Sequence, residues 1–93
     1  MINLGFAGFR HGHIYSLYNI AGESKNVNIA GAWEDFEEAK KAAETDLNAV
    51  FTYESYREML SDSRLDAIAI GNYYSARGQM IIDALNAGKH VIT

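Results

Sequence analysis

The chain contains no cysteine and no proline. With no thiols there is no disulfide framework, so packing and hydrogen bonding must hold the fold. No apolar stretch approaches the roughly 18 residues that cross a bilayer, and the N-terminus has neither the basic start nor the small-residue cleavage site of a secretory signal. A cytoplasmic location and no membrane partner are expected. Lysine and arginine never form a run that neutralises successive phosphates, and the net charge is −4, so no nucleic-acid partner is expected either. What remains is ordinary for a folded domain: 93 residues, 48% hydrophobic and 22% charged. That length accommodates one domain, residues 1–93, with no internal repeat and no linker.

Hydrophobic periodicity divides the chain into alternating elements. Ile2, Leu4 and Phe6 have strand spacing and lead into a glycine-rich turn at Gly8 to Gly12, after which Ile14, Leu17, Tyr18 and Ala21 share one helical face, with Gly22 placed to end it. Asn26 to Trp33 reads as a second strand. Asp35 with Glu38 is a candidate capping box for a helix that turns Phe36, Ala39 and Ala43 inward, and Val50–Phe51 as a short third strand. Ser55 with Glu58 is a second capping box, opening a helix that buries Tyr56, Met59 and Leu60. Leu65 to Ile70 is nearly continuous in apolar residues, as suits a strand covered on both faces. A helix carrying Met80, Ile81, Ala84 and Leu85 then closes at Gly88, and Lys89 to Thr93 forms a fifth strand. The order βαβαβαβαβ implies an α/β doubly wound parallel sheet of strand order 3-2-1-4-5.

The segment Gly8-Phe9-Arg10-His11-Gly12 joins the first strand to the first helix, where a dinucleotide's pyrophosphate meets bare backbone N–H groups. It is a degenerate G-x-G-x-x-G: counting from Gly8, Arg10 and His13 stand at the later glycine positions, with Gly12 one residue early. Arg10 can lay its guanidinium on phosphate oxygens. A turn without a ligand is the plainer alternative. At the end of the second strand Glu34 is the candidate acceptor for the ribose hydroxyls, with Trp33 against the adenine, although a solvated acidic helix start explains the same residues. No arginine follows that strand to receive a 2′-phosphate, so NAD is expected over NADP, with Arg10 the residue able to reverse the preference. His11 and His13 lack a nearby cysteine or third histidine, so no metal site is expected. Nothing marks a nucleophile with its base, and the aromatics Tyr15, Tyr18, Phe36, Tyr53 and Tyr56 read as packing.

Together these residues resemble the N-terminal NAD(P)-binding Rossmann domain of the Gfo/Idh/MocA oxidoreductases. The resemblance spans the chain and is carried best by DAIAI from Asp66 and ALNAGKHVIT from Ala84. It implies that Asn72 and Tyr73 face the ribose or nicotinamide, and it aligns Arg77 with a histidine of the family. It also implies that a Glu-Lys-Pro motif, with the catalytic lysine, would begin where this chain ends. The chain is therefore expected to be truncated before a sixth strand and a substrate domain, to hold no catalytic residue and to be inactive alone. Two departures stand out. The family's Ala-Thr-Pro-Asn is replaced by Gly71-Asn72-Tyr73-Tyr74, and its acidic strand-end residue aligns with Trp33.

The expected activity of the intact parent, a homo-oligomer, is hydride transfer between a nicotinamide cofactor and a small-molecule substrate, a sugar, polyol or related hydroxyl compound. The rivals are a non-catalytic nucleotide-binding sensor or regulatory module and an interaction domain without ligand, since this fold hosts all three.

Overall fold

A computed structural model describes residues 1–93. The alternating residues at the start form β1 (Ile2–Ala7), paired on one side with β2 (Val27–Trp33) and on the other with β3 (Ala67–Ile70). The last strand, β4 (His90–Ile92), flanks β3, and all pairs are parallel in the order β2-β1-β3-β4. The helices are α1 (His13–Glu23), α2 (Glu37–Leu47), α3 (Tyr56–Ser61) and α4 (Tyr74–Asn86). None is long and apolar enough to cross a membrane.

Strand alternation sorts the core into two layers. Leu4, Phe6, Ala67 and Ala69 face Ile14 and Ala21 of α1 and Ala43 of α2, whereas Ala7, Ile68 and Ile70 face Met59 of α3 and Met80 and Ala84 of α4. All four residues of β3 are buried, as their continuous apolar run requires. The sheet is therefore doubly wound, with two helices on each face.

It has four strands and not five, which corrects the expected order 3-2-1-4-5. The four that form keep their expected relative order; the missing one is Val50–Phe51. Tyr53 and Thr52 both direct their N–H groups at a single carbonyl, Ala32 O, at 3.4 and 3.2 Å, so no ladder develops along β2. Val50 is 68% exposed, and two apolar residues bury too little to hold a strand. The segment lies across β2 instead, with Thr52 Oγ1 occupying the space above Gly31.

Helix boundaries show what local signals do and do not decide. Ser55 caps α3 as expected, its Oγ accepting from Glu58 N–H at 3.0 Å. The Asp35–Glu38 box does not form, because Asp35 is engaged by Arg10 at 2.7 Å and α2 begins only at Glu37. Phe36, expected inward, is consequently half exposed. Gly22 does not stop α1, which runs one residue further to Glu23. Gly88 does close α4, with φ of +79°.

Candidate functional site

The loop from β1 to α1 is pinned on three sides. Gly8 adopts φ of +86°, and a Cβ there would stand 3.2 Å from both the Cβ and the N of Asn72, so only glycine fits the turn and its neighbour. Its N–H donates to Trp33 O at 2.9 Å, the Arg10 N–H donates to Gly71 O at 3.0 Å, and the Phe9 N–H donates to Glu34 Oε1 at 2.7 Å. The next two N–H groups, of His11 and Gly12, find no acceptor in the protein. Gly12 stands at the start of α1 without a side-chain cap, and a Cβ on it would meet nothing within 4 Å. A helix N-terminus with two free donors and open space in front of them accommodates an anion.

Glu34 sits where the sequence places it, at the end of β2, but its carboxylate turns inward. The side chain is fully covered; Oε1 takes the Phe9 N–H, and Oε2 takes Arg10 Nε at 3.2 Å and the Phe36 N–H at 2.9 Å. Arg10 continues to Asp35, whose carboxylate is 60% exposed, and its guanidinium lies 4.9 Å from the Phe36 ring and 5.3 Å from the Tyr73 ring. Burial of the guanidinium works against its charge, but the bond and charge of Glu34, with Asp35 behind, outweigh it and hold the Arg10 pKa above its ordinary value. The charge exposed at this corner is therefore Asp35 with Arg10, while Glu34 fixes the loop beneath them.

Other expected residues are placed differently from one another. Phe9 is buried in an aromatic cluster with Phe6, Tyr18 and Phe51, so its backbone reaches the loop and its ring does not. Trp33 packs tilted against Tyr56 at 5.5 Å in the α3-side core; the rings beside Arg10 are Phe36 and Tyr73. Asn72 is buried, its Oδ1 accepting from Tyr73 N–H at 2.9 Å and its Nδ2 donating to Met80 Sδ at 3.4 Å. Arg77 stacks on Tyr74 at 4.2 Å.

Sequence reasoning did not single out Gly71. A Cβ there would come within 2.6 Å of Gly8 O and 2.7 Å of Ile14 Cβ, so this glycine lets the end of β3 close on the loop; a glycine directly after a buried strand was the available signal. Phe36 is likewise at the site, beside Arg10, together with Asp35, His13 and Tyr74, which the sequence already brings into view. Two hollows border the sheet. The larger, about 840 Å³, lies mainly at the amino-terminal strand ends among Ile2, Val27, Asp66 and Lys89. The smaller, about 430 Å³, opens between α1 and α4 beside Ile70 and Gly71. Doubly wound sheets take ligands at the carboxyl ends of their strands, which selects the smaller one.

The family of oxidoreductases with an NAD-binding Rossmann fold, Gfo/Idh/MocA, matches residues 2–93. No curated protein matches the chain. Among solved structures, an NAD-binding protein from Listeria innocua is 29% identical with a TM-score of 0.81 over 97% of this chain and 26% of its own. Scyllo-inositol dehydrogenase from Lactobacillus casei, solved with bound NAD(H) and scyllo-inositol, is 29% identical with a TM-score of 0.74 over 98% of this chain and 27% of its own. Biliverdin reductase from Synechocystis, solved with biliverdin and NADP+, shares the fold at 18% identity and a TM-score of 0.81, over 97% of this chain and 28% of its own. The chain thus spans about a quarter of the length of these proteins.

Proposed function

The chain belongs to the Gfo/Idh/MocA oxidoreductase family as its NAD-binding Rossmann domain, and from that premise we propose that its β1–α1 loop holds the pyrophosphate of NAD(H) for hydride transfer to or from a sugar, polyol or related hydroxyl compound. The carrying observation is the pair of unpartnered N–H groups at His11 and Gly12, with open space before Gly12. A bound dinucleotide supplies the hydride donor or acceptor; the chain's residues supply position. Gly8, Phe9 and Gly71 shape the loop through the contacts of their backbones, and Glu34 fastens it to the β2–α2 turn. Asn72 sets the β3–α4 turn, with the Tyr73 ring beside Arg10 and Arg77 lining the hollow between α1 and α4. Trp33 contributes its carbonyl to Gly8. No residue is assigned a proton-transfer role.

The cofactor preference follows from charge. Glu34 and Asp35 place two carboxylates against one guanidinium, Arg10, so a 2′-phosphate would enter a net negative corner. The polyol reading is supported by the inositol dehydrogenase likeness at 29% identity. Calorimetric titration with NADH and NADPH tests the reading. Tighter binding of NADH is expected, and Asp35→Asn should narrow the preference by releasing Arg10; binding of neither cofactor would overturn it.

A further inference from the structure

The β1–α1 loop carries one permanent cation, Arg10, and that cation is already committed. Its Nε donates to Glu34 at 3.2 Å and its Nη2 to Asp35 at 2.7 Å, so the corner holds two carboxylates against one guanidinium. The loop's other basic side chain is His11, and His13 opens α1. Histidine is the side chain whose charge changes near neutral pH. The two rings stack, with 4.7 Å between centroids and 21° between planes, and His11 Nδ1 accepts from His13 N–H at 3.4 Å. A neutral His11 ring therefore carries its hydrogen on Nε2, and a second hydrogen can go only on Nδ1. That nitrogen then donates, the bond ends, and the His13 N–H joins those of His11 and Gly12 as a free donor at the helix start.

Facing the pair from α4 are Tyr74, whose ring meets His11 edge-on at 6.4 Å, and Arg77, whose guanidinium stacks on Tyr74 at 4.2 Å. Neither a phenol nor a guanidinium changes charge near neutral pH. In the protein alone, a charge on either imidazole has the positive end of α1 and the Arg77 guanidinium for neighbours. With a pyrophosphate on the His11 and Gly12 N–H groups, the same charge has two negative charges beside it. The complex therefore favours protonated rings more than the free protein does. We infer that the loop takes up protons at His11 and His13 when it binds the dinucleotide, so that pH regulates cofactor affinity. The inference rests on the proposed function and adds the regulation of that same site. A proton held more tightly in the complex strengthens binding at low pH, and the gain is lost as pH rises through the titration of the rings.

Titration of the chain with NADH at about pH 6 and about pH 8.5, with imidazole carbon–proton spectra followed across that range, tests the coupling. Affinity should fall about tenfold from the lower pH to the higher, the factor carried by one pKa unit of differential interaction. The titration midpoints of the His11 and His13 resonances should rise when NADH is bound. In the double variant His11→Gln with His13→Gln the fall should disappear, leaving at both pH values the affinity that the parent has at the higher one. The third histidine, His90, lines the hollow at the amino-terminal strand ends, so His90→Gln should keep the parent's pH dependence. Thermal melts of each variant at both pH values report its fold. Equal NADH affinity of the parent at the two pH values, a fall that the double variant keeps, or one that His90→Gln removes would each overturn the inference and leave the proposed function standing. Absence of NADH binding at both pH values would overturn the two together.

Discussion

Arg10 and Glu34 meet across the carboxyl ends of β1 and β2, Nε donating to Oε2 at 3.2 Å, with the Glu34 side chain fully covered and the Arg10 side chain 20% exposed. One carboxylate therefore serves two segments, taking the Phe9 N–H of the loop and the Phe36 N–H that precedes α2. Replacing Glu34 by Gln keeps the shape but turns a donor toward donors already there. We expect Glu34→Gln to cost about 2 kcal/mol in urea unfolding. A loss within a few tenths of a kcal/mol would show that Glu34 does not pin the loop.

The two ends of the loop should respond in opposite ways. Gly8→Ala forces an L side chain to φ of +86° and crowds Asn72 at 3.2 Å, and should cost about 1–2 kcal/mol. Gly12→Ala sits at φ of −58° with nothing within 4 Å, and should stay within about 0.5 kcal/mol of the parent. Equal costs in thermal melts would contradict this division.

Away from the site, Asp62 accepts from Arg64 Nη2 at 2.7 Å and from the Tyr53 hydroxyl at 2.6 Å, and these bonds, that of Arg64 foremost, hold its carboxyl well below the usual range. A depressed carboxyl adds stability above its unfolded value of about 3.9 and loses it as pH falls below that. The gap in melting temperature between the parent and Asp62→Asn should narrow as pH drops below about 4. Tyr53 has the opposite dependence. Burial, with the Asp62 bond, pushes it up to about 12, so its contribution is complete below about 10 and lost as pH rises toward the folded value. Ultraviolet titration of the phenolate should lose a late component in Tyr53→Phe; an unchanged curve would contradict the assignment.

The parts of the fold legible from sequence were those set by periodicity over several residues. The buried run before Gly71, the alternation into Gly8 and the helix from His13 each repeat their signal over several residues, and each formed. Val50–Phe51 failed because a two-residue signal is decided by its neighbours, here the crowded edge at Gly31. At the site, glycine spacing located the loop, but side-chain direction is a tertiary property. Nothing local says that Trp33 turns to Tyr56, that Asn72 turns to Met80, or that Asp35 leaves its helix for Arg10.

The proposed function keeps the open helix start at Gly12 for a dinucleotide. Titrating the parent and Gly12→Val with NADH, with a thermal melt of each, tests it directly. No protein atom lies where the new side chain would begin, so the fold has nothing to lose from Cβ contact, whereas a pyrophosphate on the His11 and Gly12 N–H groups would meet it. The account predicts NADH binding weakened at least about tenfold with little change in melting. NADH affinity equal in the two proteins would contradict it.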